Sequence, residues 1–457
     1  MKPARCTSVS LYGLDSYFPK PFAMAPHVPP VILNTTPQRL LTLVPQIMVI
    51  PLTCVMVGCG PAKIEYRPNE LYAVSLHREQ GDADHTESEE SSTRAAALAE
   101  RWFGTADSPV WPSELLAGTP GADEVVRMDE VERSAGPVGR GNDKIERGLY
   151  RKHCVPCHGV TGDGRGLAAS MLSPYPRDFR RGTFKFKSTP TGVKPTRADL
   201  VRTLHDGIPG TSMPSFAALE LSKEFKNDIE SLVEYVRFLS IRGEVERRLI
   251  AKHARGESQL NPDDESAIEV VRLVVANWAS AETKVLPIPN PPELTPEQFK
   301  ESSKRGEEWF RSELTACAKC HGTSGAGDGN SQDFDDWTKD WTLLAGIDPK
   351  KKSDWKEMKP FGALKPVIDK PRNLAWGAFH GGGNRQDLFR RLVLGIEGTP
   401  MPPIARAING NPGLTDDEIW DLVHYVQSLS SVPSSSLASA KSTLDDTIRS
   451  KPEGAAE

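Results

Sequence analysis

The chain has 457 residues, of which 38% are apolar and 26% charged, and its formal net charge is −5 at pH 7. That length holds two or three domains, and the mild negative balance leaves no electrostatic footprint for nucleic acid, which is excluded as a partner. The 37 Gly and 38 Pro point to loop-rich domains with extended connectors.

The first segment to stand out is LLTLVPQIMVIPLTCVMVG at 40–58, which follows Arg39 and ends on a small residue before Cys59. A basic flank, an apolar core and a small residue at the cut describe an export signal, so 1–58 reads as a signal peptide or, if uncleaved, a membrane anchor. Pro45 and Pro51 interrupt the run and weigh against the anchor. The Gly58-Cys59 junction resembles the lipobox of bacterial lipoproteins, although Met56 stands where Leu is usual. That resemblance implies lipidation of Cys59. Either reading puts the rest of the chain on the periplasmic side of the cytoplasmic membrane, tethered by lipid or by an N-terminal helix. The long leader before Arg39 suggests Met24 as the start.

Residues 59–141 read as a largely extended, disordered spacer, with one short helix over 93–104. A first unit over 142–240 opens with a helix from Asn142 to Tyr150 leading into CVPCHG at 154–159. It closes with an amphipathic helix on which Ile229, Leu232, Val233 and Val236 recur at helical spacing. A helical linker follows over 241–299, read as two further helices over 241–283 and a stiff PIPNPPEL connector at 287–294. A second unit over 300–430 starts with a helix over Glu297 to Leu314, capped by Thr295, Pro296 and Gln298, and leads into CAKCHG at 317–322. Its closing helix carries Ile419, Leu422, Val423 and Val426, with Thr415 and Glu418 as its capping box. The tail over 431–457 is Ser/Ala/Lys-rich and reads as disordered. No segment alternates at period two, so the fold class is all-α: two tandem helical domains with extra helices between them.

The two units are copies. DLVRTLHDGIPGTSMPSF at 199–216 matches DLFRRLVLGIEGTPMPPI at 387–404, IESLVEYVRFLS at 229–240 matches IWDLVHYVQSLS at 419–430, and PRDFRRGTF at 176–184 matches PRNLAWGAF at 371–379. The offset is 163 at the Cys frames and 195 at the Pro-Arg blocks, so the second copy carries an insertion over 331–370.

Cys-x-x-Cys-His is the attachment signature of c-type haem: two thiols add to the porphyrin vinyl groups and the adjacent His ligates iron. Cys154, Cys157 and His158, with Cys317, Cys320 and His321, therefore predict two covalently bound haem c groups. A single zinc site shared by the four cysteines is disfavoured by the 163-residue separation, and a thioredoxin-like motif by the missing βαβ pattern. Met213 and Met401 lie in near-identical Gly/Pro-rich loops and are the expected second axial ligands; core filling is the alternative. Met171 and Met358 lack counterparts, and His205 and His380 read as ordinary polar groups.

In this combination, 142–240 and 300–430 resemble class I cytochrome c domains. The resemblance implies a small helical fold around each haem, with first and last helices crossing, Gly148 and Tyr150 near Tyr235, and Gly306 and Phe310 near Tyr425. Relatives orient the ligating imidazole with the carbonyl of a Gly-Pro; here the first unit reads Gly166-Leu167 and the second has no match, so the imidazole partner stays open. Arg177 and Arg372 occupy matching sites and pair with haem propionates, or are solvated surface groups. Each unit, thin in apolar residues, is expected to be molten without its haem. Function is then single-electron relay between redox proteins of a respiratory chain. Alternatives are a dihaem peroxidase-type enzyme or a haem-bearing electron-input subunit of a larger oxidoreductase. The insertion, with Trp337, Trp341, Trp355 and the lysines at 350–352, is a docking surface or a loop packed over its own domain.

Overall fold

Fourteen α-helices and two short antiparallel ribbons make up what the computed structural model describes, residues 64–82, 84–221, 227–330, 333–407 and 412–430. The export and lipidation features, including Cys59, and the C-terminal tail lie outside these residues. Everything described belongs to a single body.

The described part of the segment read as a spacer, from residue 64 on, is folded. Helices α1 (Glu70–Glu79), α2 (Thr86–Phe103) and α3 (Met128–Ser134) pack on the closing helix of the first domain, with Tyr66, Trp102, Phe103, Val125 and Val131 in its core. Mean polarity hid this layer. In α2 the buried face is Ser88, Ser91, Ser92, Ala95, Leu98, Ala99 and Trp102, a helical stripe of small residues facing away from the glutamates. Small side chains let two helices approach closely, and no strongly apolar run is needed.

Residues 142–147 are not helical. Strands β1 (Gly139–Arg140) and β2 (Glu146–Arg147) form a hairpin whose turn holds Lys144 at φ 62, and only α4 (Leu149–His153) leads into the first frame. α5 (Val155–His158) then carries the frame itself. Tyr150 meets Tyr235 as expected, with ring centroids 4.9 Å apart, but Gly148 backs onto Pro137 instead of the closing helix. The helices that pack most extensively on the closing helix are α2 and α3, the latter pinned by Arg133 to Asp228.

Helix α6 (Arg197–Asp206) starts at a Thr196–Asp199 capping box and stops at Gly207. α7 (Asp228–Ala254) runs straight through the expected boundary at 240, fusing the closing helix to the first linker helix; α8 (Glu265–Ala279) packs on it through Val270, Val271, Val274 and Trp278. In the second domain α9 (Pro296–Arg311) has the expected Thr295–Gln298 box, α10 (Cys317–His321) carries the frame, and α13 (Arg385–Leu394) and α14 (Asp416–Leu429) follow the order of α6 and α7. α9 and α14 cross at Gly306, where a Cβ would sit 2.8 Å from the Tyr425 Cβ, and Phe310 packs on Tyr425 at 5.2 Å.

The insertion forms α11 (Asp336–Leu344), α12 (Lys352–Lys356) and a ribbon of β3 (Asp333–Phe334) with β4 (Ile368–Asp369). Its three tryptophans are buried, so they offer no docking surface. They do not cover their own domain either: with Met358 they enclose Leu71 and Val74 of α1. Arg181 to Asp336 (3.1 Å), Arg247 to Asp340 (2.7 Å) and the Tyr175 hydroxyl to the Lys365 carbonyl (3.1 Å) fasten the insertion to the first domain.

Two candidate haem-attachment sites

Each frame is a single turn between a glycine-rich loop and the preceding helix. Gly159, Gly162 and Gly164 adopt φ of 72, 71 and 71; Gly322, Gly325 and Gly327 adopt 73, 72 and 77. The loop folds back on the frame through the same bonds in both copies. Gly164 N–H donates to the His158 carbonyl (3.0 Å) and Gly166 to Cys157 (3.0 Å); Gly327 donates to His321 (2.8 Å) and Gly329 to Cys320 (3.1 Å). This loop went unremarked in the sequence, yet its four glycines keep the 163-residue offset of the frames.

The glycines serve the imidazoles. A Cβ on Gly164 would lie 2.5 Å from the Pro176 carbonyl oxygen, and one on Gly327 would lie 2.5 Å from that of Pro371. Without side chains the loop closes onto Pro176-Arg177 and Pro371-Arg372. The Arg177 carbonyl then lies 3.2 Å from His158 Nδ1, and the Arg372 carbonyl 3.0 Å from His321 Nδ1. The imidazole partner left open by the sequence is therefore a backbone carbonyl at matching positions, reached from farther along the chain than expected. Asp178 and Asn373 fix the following turn alike, accepting from Arg180 N–H and Ala375 N–H, each at 3.0 Å. Nδ1–H donates to the carbonyl, and Nε2 keeps its lone pair for a metal. Burial holds both rings neutral, pushing His158 down to about 4 and His321 in the same direction.

None of the four frame cysteines forms a disulfide. Burial pushes the Cys154 thiol up to about 12 and raises Cys317 as well, the reverse of the acidic thiolate that thiol–disulfide exchange requires. Among the described residues no three His, Cys, Asp or Glu side chains cluster as metal ligands, which removes the shared zinc site.

The methionine loops are built identically. α6 ends at Gly207 and α13 at Gly395, with φ 66 and 65. Ile208 N–H donates to the Met213 carbonyl and Ile396 N–H to that of Met401, both at 3.1 Å. The Thr211 and Thr399 hydroxyls each donate to the isoleucine carbonyl at 2.8 Å and accept from the methionine N–H at 3.1 and 3.2 Å. Met213, Met401, His158 and His321 are all half-buried and not enclosed. A flat apolar ring would cover them, and the donor set fits a haem: two thiols and an imidazole in one turn, a thioether in a rigid loop.

The remaining candidates separate. His205 is half-buried beside the exposed Asp206. His380 is half-buried, with Nε2 buried and unpartnered, and burial brings it down to about 4. The Arg177 and Arg372 side chains turn away from their own frames, toward the opposite domain.

A helical protein with two copies of such a site is a double carrier of covalent haem. Residues 303–430 match the family Cytochrome c, and 143–236 match Cytochrome C oxidase, cbb3-type, subunit III. The two matched segments are class I c-type cytochrome domains in tandem; such domains bind haem c covalently and indicate electron transfer. No curated protein matches it. Among solved structures, a chain of the Kuenenia stuttgartiensis reducing HAO-like protein complex is 27% identical, covering 62% of this chain and 94% of that one at a TM-score of 0.39.

Proposed function

We propose that this chain is a dihaem electron carrier that passes single electrons between redox proteins of a respiratory chain, outside the cytoplasmic membrane and tethered to it through the N-terminal segment. Cys154 and Cys157 would hold one haem and Cys317 and Cys320 the other, with His158 and Met213, and His321 and Met401, on the two sides of each iron. Haem supplies the one-electron couple; the protein supplies ligands that do not move. The observation that carries this reading is the identity of the two methionine loops, bond for bond. With its methionine on iron, a loop so braced would leave no coordination position for a substrate, which favours a carrier over a peroxidase-type enzyme. The described residues contain no helix long and apolar enough to cross a membrane. Carbon monoxide added to the reduced, full-length protein tests the assignment. Little or no rapid binding is expected; prompt stoichiometric uptake at one haem would overturn it. Release from membranes by a lipase or protease tests the tether.

A further inference from the structure

Arg177 and Arg372 each use their carbonyl to hold the histidine of their own domain. Their side chains serve the other one. A Cβ placed on Gly398 would lie 3.3 and 3.4 Å from the two terminal nitrogens of Arg177, and one placed on Gly210 would lie 3.2 and 3.7 Å from those of Arg372. Gly398 stands three residues before Met401, and Gly210 three before Met213. Each guanidinium thus rests on the methionine loop of the opposite domain, and the contact is reciprocal. Both glycines have positive φ, 80 and 78, and a side chain at either would push the guanidinium off the loop.

Neither side chain forms a hydrogen bond or ion pair among the described residues. Burial disfavours the charge on both, bringing Arg177 down to about 10. The acids that act on Arg177 are Asp336, Asp335 and Asp178, and each is already engaged: Asp336 Oδ2 accepts from Arg181 at 3.1 Å, Asp335 from Thr338 N–H at 2.7 Å, and Asp178 from Arg180 at 3.0 and 2.7 Å. Arg372 shares the Gly210 position with His380, whose Nε2 is buried and unpartnered. A half-buried cation with no acid bonded to it is costly, so its persistence at two matching places calls for an anion that completes the site. Haem brings carboxylates and a charge that changes with oxidation state. The interface that holds the arginines is firm: Arg391 donates to the Lys185 and Lys187 carbonyls at 3.1 and 2.8 Å, and Arg202 pairs with Asp387 at 2.7 Å.

We propose that Arg177 and Arg372 act crosswise, each placing its cation at the haem of the opposite domain and raising the reduction potential of that haem. Oxidation adds a positive charge to iron, and a fixed cation nearby disfavours it. The inference rests on the two-haem reading and makes these arginines positioning residues for the neighbouring site.

The experiment is a spectroelectrochemical titration of the full-length holoprotein. Met401→His assigns the waves, because replacing the thioether lowers the potential of the second domain's haem. Arg177→Gln and Arg177→Met both remove the cation and spare the carbonyl, so either carries the test if the other misfolds. Each is expected to lower the second domain's wave, cutting its reduced-to-oxidised ratio at the wild-type midpoint about tenfold (~59 mV), with a much smaller change at the first. Arg372→Gln should do the converse, and Arg177→Lys should restore the ratio to within about threefold of wild type. Movement of the same-domain haem by an equal or larger amount, or of neither, overturns the crosswise assignment while leaving the two-haem reading intact. A preparation without covalent haem would instead defeat the reading beneath it.

Discussion

Replacing Gly327 by Ala tests how the second domain orients its imidazole. Gly327 sits at φ 77, and a Cβ there would lie 2.5 Å from the Pro371 carbonyl oxygen and 3.2 Å from the Arg372 carbonyl carbon. The left-handed backbone costs an alanine roughly 1–2 kcal/mol, and crowding against backbone that cannot rotate away costs roughly 1–3 kcal/mol more. Relief requires the 371–373 segment to retreat by several tenths of an ångström. That segment carries the carbonyl now 3.0 Å from His321 Nδ1. The expected outcome is a second domain destabilised by about 2–5 kcal/mol, with its haem still attached and its potential raised. The rise follows because an imidazole that loses its acceptor becomes a weaker donor and stabilises ferric iron less. Chemical denaturation followed at the haem bands, with potentiometry on the same sample, measures both effects. Gly164→Ala should act in the same way on the first domain. If Gly327→Ala has wild-type stability and potential, the loop does not position the carbonyl and the argument fails.

Met213→Ala and Met401→Ala should each open one iron, so that the reduced variants bind carbon monoxide at one haem per chain and show a lowered potential there; spectroscopic titration counts the sites. Stability should fall with acidification between about pH 6.5 and 4, because burial brings His424 from 6.5 down to about 4. The unfolded chain takes up a proton in that window and the folded one does not, so folding weakens as pH drops, by roughly 3 kcal/mol. Denaturant titrations of the wild type and His424→Gln should diverge on that limb. Trp341→Ala removes a side chain 2% exposed beneath α1 and should cost roughly 3–5 kcal/mol; limited proteolysis should then cut within 331–370 while both haem spectra persist.

Much of the site was legible because covalent attachment and axial ligation demand fixed residue types at fixed spacing. Cys154 to His158, Cys317 to His321 and the two methionine loops could be read directly, and so could the Thr295 and Thr415 caps, where a hydroxyl must meet a backbone amide three residues on. What escaped depended on approach between segments distant in sequence. The Arg177 and Arg372 carbonyls carry no side-chain signal. Their role shows only in the glycines that let the loop reach them, and those keep the frame's offset without belonging to its motif. The N-terminal layer escaped because burial in α2 uses mainly serine and alanine, and the exposed glutamates and arginines lower the mean hydropathy while the helical stripe is preserved. The tryptophans of the insertion were visible, but nothing local to 331–370 names α1 as the surface they cover.

The two domains share a site but not a scaffold, which revises the expectation that both are molten without haem. The first domain's core extends well beyond the haem site, from Tyr66 and Phe103 through α7 to Trp278. The second relies on a much smaller cluster around Phe310, Phe389, Trp420 and Tyr425, largely the α9–α14 crossing and α13. Haem is about the same size in each, so it supplies a larger share of the second core. Substituting Cys317 and Cys320 by alanine should therefore release order in α9, α13 and α14, while α7 and α8 keep their slow amide exchange. The matching change at Cys154 and Cys157 should leave α7 protected, because α1, α2, α3 and α8 still cover it. Hydrogen exchange of the two half-loaded proteins measures this asymmetry. Equal loss of protection in both domains would mean that the N-terminal layer contributes little, and that each domain depends on its haem alike.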